Sequence, residues 1–443
     1  MKKSKKALVS MMAVILLIMS ACGGNNQNEK SGAGASGTTP GGAASGKKVK
    51  LVFQHIEVDA STPRTQVLRQ LTDDYMAANP NITIEWDAVS TDQQKSKLKT
   101  QAAANNIPDL TVVNPRAQMK PYTDAGLLAP LDDLMPELKD TFLPGVLDYY
   151  KMDNKLYALP MQNNIGLFYY NKKLFEQAGV QPPATYEELI EISKKLKSAG
   201  TIPIVVGEKD AWTGALFLTS LLTRVHGVGF LDKVATGEKK FTDPEFVQAL
   251  DKLQELVQAG AFQDGATSMD NNTAKSLFKS SKAAMIYNTT YAAGEISAAF
   301  PGGEIGVFKF PTVAGKGNPN EFLLSPGIGL AVAKNGEHVE EAKKFAAYLM
   351  KNYPKVNLDK KNPIGIAQKI EGKLNPNEFS PLLVDISNIF NNVQGGDLNL
   401  DVAIDAATTQ TALSELQRVF IGKVNSAQLA QTLQNARDTN NKR

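Results

Sequence analysis

Apolar positions along the chain fall into two periods that take turns. Val49 to Phe53 is a run of strand-forming residues. Thr65 to Ala78 sets Val67, Leu71 and Tyr75 at helical spacing and stops at Asn79 and Pro80. Ile82 to Trp86 alternates apolar and polar, Thr91 to Ala104 suits a polar helix, and Leu110 to Val113 follows Pro108 as another strand. Strand–helix–strand–helix–strand predicts an α/β fold with a parallel sheet flanked by helices. Ligands of such sheets bind beyond the carboxyl ends of the strands. Here those ends carry His55 and Glu57 after the first strand, and Asn114 and Arg116 after the third.

The middle of the chain departs from this rhythm. Leu156 to Leu159 is a short apolar run closed by Pro160. Three uncharged amides follow, Gln162, Asn163 and Asn164, and then a second apolar and aromatic run from Ile165 to Tyr170. Amides between two buried strands need partners, and a polar ligand in a cleft would supply them. Phe322 to Ala333 repeats the plan, with Ser325, Pro326 and Gly327 between two apolar runs. Thr185 and Glu188 form a capping box ahead of a helix that buries Leu189, Ile192 and Leu196. Further helices are predicted over Gly214–Arg224, Phe241–Gly260, Asn271–Lys279, His338–Lys351, Pro381–Phe390, Ala403–Phe420 and Ser426–Arg437, and strands over Ile202–Val206, Ala283–Tyr287 and Glu304–Phe310. Tyr353 to Asn377 is rich in Lys, Asn and Pro and has no clear period.

Aromatic residues near strand ends add candidate chemistry. Trp212 follows the Ile202–Val206 strand and opens a helix; a flat indole suits the apolar C–H face of a sugar ring. Tyr287, Thr289 and Tyr291 close the next strand. A core role competes with a ligand role for Trp212 and Tyr287, and Arg116 keeps anions open as ligands.

The crossover segment KLYALPMQNNIGLFYYNKKLFEQAGVQPPATYEELIEISKKL (Lys155 to Leu196) resembles that of the family 1 extracellular solute-binding proteins of ABC importers, most of which bind sugars. Pro108 to Leu134, Leu277 to Ile296 and Leu323 to Met350 resemble further segments of that family in its order. The resemblance implies a two-lobed, periplasmic-binding-protein-like fold of type II. One lobe would hold 49–161 and 327–375, the other 165–324 and 376–438, with hinges near 162–166 and 322–327. It also implies that the polar residues after Pro160, with Asn163 and Asn164 the ligand contacts, face the cleft, that Trp212 and Tyr291 are aromatic platforms, and that a monomer delivers its sugar to ABC permease subunits; Gly327, at the second hinge, allows close backbone approach to a ligand. The same fold binding a peptide, a polyol or an organic anion is the alternative.

Composition narrows the setting. The 443 residues carry a formal charge of +3, but Lys2, Lys3, Lys5 and Lys6 precede Cys22; without them 44 basic residues face 45 acidic ones, and no nucleic-acid partner is indicated. Those lysines and the apolar run Ala7 to Met19 form a signal peptide over residues 1–21, and Met19-Ser20-Ala21-Cys22 resembles a lipoprotein processing box. Cys22, the single cysteine, is the expected lipidation site, anchoring the protein to the outer face of the cell membrane. Residues 22–48 form a Gly/Ser-rich tether, and its GxGxxG match lacks the flanking strand and helix of a nucleotide site. Three histidines without ligand spacing argue against a zinc site. No GxSxG, HExxH or P-loop motif occurs, so neither an enzyme nor a cofactor is indicated.

Overall fold

The computed structural model describes residues 47–422 and 424–440. The expected signal peptide, Cys22 and nearly all of the tether lie outside them. The strands are β1 Val49–His55, β2 Ile82–Ala88, β3 Leu110–Val113, β4 Lys151–Met152, β5 Lys155–Leu156, β6 Leu159–Pro160, β7 Asn164–Asn171, β8 Ile202–Val205, β9 Ala283–Thr289, β10 Ile305–Phe308, β11 Glu321–Ser325, β12 Gly329–Val332 and β13 Gly395–Leu398.

Two large sheets result, one per lobe, and β4 and β5 pair in a small third one. The first has the order β2-β1-β3-β12-β6. In it β1 runs parallel to β2 and β3, while β12 is antiparallel to β3 and β6. Helices Pro63–Ala78 and Val339–Asp359 cover it around a core that includes Leu51, Phe53, Leu71, Val112, Leu330 and Phe345. The second has the order β13-β11-β7-β9-β8, with β10 paired to the far end of β7. Its central strand is buried on both faces. Ile165, Leu167 and Tyr169 enter one core and Phe168 the other, as a two-residue side-chain period requires.

The chain passes from the first sheet to the second between β6 and β7, and returns between β11 and β12. Beside these passages runs a third segment, where Asn163 N–H donates to the Gly365 carbonyl at 2.9 Å and Gln162 bridges Ile366. Tyr150, buried in the first lobe, donates to the carbonyls of Pro326 and Gly327, both at 3.1 Å.

Three departures from the sequence-based elements matter below. β1 runs to His55 and not to Phe53, and β9 runs to Thr289 and not to Tyr287, so residues expected in loops lie in sheet. The helix expected over His338–Lys351 continues to Asp359 with Pro354 inside it. A proline there forgoes a backbone hydrogen bond, but Tyr353 and Val356 stay buried on the first-lobe core and hold the helix on course.

Candidate functional site

Strand ends from both lobes converge on one cavity between them, with a volume of about 90 Å³. A single water needs roughly 10–15 Å³, so a small polar solute has room. From the first lobe come Ile56 after β1, Asn114 after β3, and Thr91 with Lys95 from helix Thr91–Ala103. Thr91 and Lys95 are one helical turn apart and share a face. From the second lobe come Trp212 and Leu216 on helix Trp212–His226, Thr289 and Tyr291 at the end of β9, and Asn399 and Asp401 beyond β13. The crossing segments supply Gln162, Ser325, Gly327 and Ile328. Gly327 has φ +69°, a left-handed conformation, and a Cβ there would collide with the Gln162 side chain, so glycine is needed on both counts.

Asp401 is the buried carboxylate of this wall. Its Oδ2 accepts from Gln118 Nε2, across the lobes, at 2.9 Å, and its Oδ1 accepts from Asn399 Nδ2 at 2.7 Å. Burial pushes its pKa above the ordinary aspartate value, opposed by Lys95 and by the Gln118 and Asn399 amides. Trp212 is half-buried at the first turn of its helix and packs against the second-lobe core with part of its ring.

A second cavity of about 130 Å³ adjoins the first and shares Ile56, Thr91 and Tyr291 with it. Its walls carry Glu57, Asp59, Arg64, Lys275, Lys279 and Glu295. Arg64 pairs with Glu57 at 3.1 Å, and Lys275 pairs with Glu295 at 2.5 Å. All four side chains are at least four-fifths buried.

The sequence profile of the bacterial extracellular solute-binding protein family matches residues 59–352, well over half of the chain. The chain belongs to that family. A multiple sugar-binding protein of Streptococcus mutans is 24% identical to this solute-binding protein over 69% of the chain and 73% of its own length. A solved structure from work on xylan utilisation by Caldanaerobius polysaccharolyticus superposes with a TM-score of 0.80 at 28% identity, over 87% of this chain and 99% of that one. A chitin oligosaccharide binding protein gives 0.79 at 25% identity, over 90% of this chain and 100% of its own. The two-lobed fold and a function outside the cytoplasm follow from this membership.

In this solute-binding protein the expected site residues divide. Asn114, Trp212, Thr289, Tyr291 and Gly327 lie around the first cavity. Glu57 lies on the second, as the counter-ion of Arg64. The other five are placed elsewhere, and each needs correction. His55 is 1% exposed inside β1, edge-on to Phe53 and Trp86. Burial, with help from Arg69 and against Asp87, lowers its pKa to about 4, so the ring is neutral near pH 7. Tyr287 is buried in the second-lobe core, its hydroxyl 2.5 Å from that of Ser220. Asn164 is also buried; its Oδ1 accepts from Thr290 Oγ1 at 3.2 Å. Asn163 points into a separate groove beside Ile364 and Phe390, because successive side chains of an extended segment face opposite ways. Arg116 reaches across the lobes to Asp232 at 3.3 Å, away from either cavity.

Gln162, the first of the three amides, is the one that lines the cavity, and sequence reasoning did not single it out. Thr91, Lys95 and Asp401 were missed as well. The i, i+4 spacing of Thr91 and Lys95 was a usable signal. Asp397, the acidic residue nearest the glycines of β13, accepts from Gly229 N–H at 2.6 Å and Thr223 Oγ1 at 3.0 Å, tying helices together.

Proposed function

We propose that this protein is the receptor of an ABC importer, that it captures a sugar or oligosaccharide between its lobes, and that it passes the ligand to the membrane permease. The observation that carries this is the first cavity. A half-buried indole stands there with a carboxylate, amides, hydroxyls and a lysine, carried by strand ends and by the first turns of helices from two lobes. Sugars need both a flat apolar surface and several hydrogen-bond partners, and the two occur together there. The names of the relatives, multiple sugar and chitin oligosaccharide binding proteins, support the same class.

The lobes would hinge near 162–166 and 322–327, where the chain passes between sheets. The protein works as a receptor and not as an enzyme, as a monomer. Diacylation at Cys22 would hold it at the outer face of the cell membrane, with the tether giving it reach to the permease. Isothermal titration against mono- and oligosaccharides, with peptides, polyols and organic anions as controls, tests the ligand class. Saturable binding of a sugar is expected; binding confined to the controls would replace the sugar reading with that solute.

A further inference from the structure

The second cavity holds a group of charges that the proposed sugar site does not use. Arg64 lies at the second position of helix Pro63–Ala78 in the first lobe, its side chain 17% exposed. Besides pairing with Glu57 of its own lobe, it reaches into the second. Its Nη1 donates to the Tyr291 carbonyl at 3.3 Å, and its guanidinium carbon lies 4.4 Å from the centre of the Tyr291 ring. Tyr291 is held from the second-lobe side too. Asn271 Nδ2 donates to its hydroxyl at 2.8 Å, and Lys275 Nζ lies 4.9 Å from the ring centre. Lys275 is fixed in turn by Glu295, which Lys279 also approaches at 3.4 Å. Glu57, Arg64, Lys275 and Glu295 take no part in lining the Trp212 cavity; of the side chains in this cluster, Tyr291 belongs to both.

We infer that Arg64 is a positioning residue for ligand capture, a clasp by which the first lobe grips Tyr291 of the second when the lobes are together. The Arg64–Glu57 pair lies within one lobe and survives separation. The Arg64–Tyr291 contacts cross between lobes and exist only in the approached arrangement. A contact made in one state alone shifts the equilibrium by its whole free energy. The cation–π contact is partly desolvated, where such contacts are strongest. With cations near its ring, Tyr291 serves closure and is not a free platform for a sugar. Losing Arg64 should therefore weaken every ligand by one common factor, because the factor belongs to the lobes.

The test uses Arg64→Met and the double variant Glu57→Gln/Arg64→Met, the second sparing the fold an unpaired buried carboxylate. Spin labels at Glu137→Cys and Glu238→Cys, one exposed position per lobe, in a Cys22→Ser background, report lobe separation in ligand-free protein. The ratio of short to long distances is expected to fall at least fivefold in both variants, and Arg64→Lys should recover part of it. Unchanged distance distributions in both variants would overturn the clasp. A second arm titrates maltotriose, raffinose, xylotriose and chitotriose. Any that bind should weaken by the same factor in Arg64→Met, with dissociation faster and the order of preference kept. A factor that differs by tenfold between sugars would make Arg64 a direct ligand contact and overturn the inference. The affinity arm rests on the sugar reading and the distance arm does not. If none of the four sugars binds wild-type protein, the ligand reading suffers while the distances still decide the clasp.

Discussion

The two cavities between the lobes are lined by similar side chains held in opposite conditions. Around Trp212, the carboxylate of Asp401 and the amides of Gln162 and Asn114 border space, and among the described residues Asp401 has amide partners and no ion pair. Around Arg64, each buried charge has a counter-charge within about 3 Å. Polarity between lobes thus has two uses. Groups left facing a cavity can serve a solute, and groups already paired can serve only the protein. Burial and partners separate the two; residue type does not.

The largest effect should come from breaking a pair in the second cavity. Burial alone would lower the pKa of the Lys275 ammonium, but Tyr291 and Glu295 beside it raise it above the ordinary lysine value. Glu295 is held low by Lys275, Lys279 and Arg64, against a burial effect that would raise it. Lys275→Met leaves that carboxylate without its nearest cation and should cost about 3 kcal/mol of stability in chemical denaturation, at the lower end for a broken buried pair. A loss under about 0.5 kcal/mol would mean that these charges are solvated, and the contrast between the cavities would fail.

Trp212→Ala comes next and acts on the other side of the comparison. Half of a large aromatic surface is lost to the ligand, worth about 2 kcal/mol, or roughly thirtyfold in sugar affinity by calorimetry. The melting temperature should move by only a few degrees, since part of the ring packs on the second-lobe core. A large fall in melting temperature with intact affinity would make Trp212 a core residue. Asp401→Asn keeps shape and removes charge. It should weaken sugar binding by about tenfold, because a hydrogen bond to a charged acceptor is worth roughly 1.5–3 kcal/mol. Stability should fall by about 1 kcal/mol, since Gln118 and Asn399 each donate to one carboxylate oxygen and the new NH2 would meet one of those donors.

How far the residues spoke for themselves depended on period and on ends. The first-lobe strands over 82–88 and 110–113, the capping box at Thr185 and Glu188, and helix Asn271–Lys279 follow from alternation, capping chemistry and spacing, and they formed close to where those signals put them. Site residues depend on where a strand stops, and no residue of β1 or β9 announces that. Two extra residues of β1 carried His55 from a presumed loop into the core, while Tyr287 lay within the expected strand and is turned into the second-lobe core. The amide run was recognisable as unusual, but which amide faces the cavity is a matter of pleat. Gln162 and Asn164 share a face, Asn163 takes the other, and Thr290 satisfies Asn164. Asp401 was illegible for another reason. It reaches the wall from a late segment with little apolar period, brought in by the pairing of β13 with β11.

The smallest effect concerns pH and tests whether the lobes' approach is felt by a group outside both cavities. Asp210, just before helix Trp212–His226, accepts from Asn271 N–H at 2.9 Å. Burial raises its pKa to about 7, and the nearby Asp92 carboxyl of the first lobe adds to the rise. An unfolded aspartate titrates near 4. Between about pH 4 and 7 the native protein therefore holds a proton that the unfolded chain has released. Stability falls as pH rises through that window and levels off above it. Lowering the pH from 7 to 5 should stabilise the wild-type protein relative to Asp210→Asn by about 1 kcal/mol, a figure reduced because water still reaches the carboxyl. The same comparison in an Asp92→Asn background should shrink, since the partner that crosses between lobes has lost its charge. If the Asp210→Asn difference is flat with pH, or keeps its full size without Asp92, the approach of the lobes leaves no mark on this carboxyl.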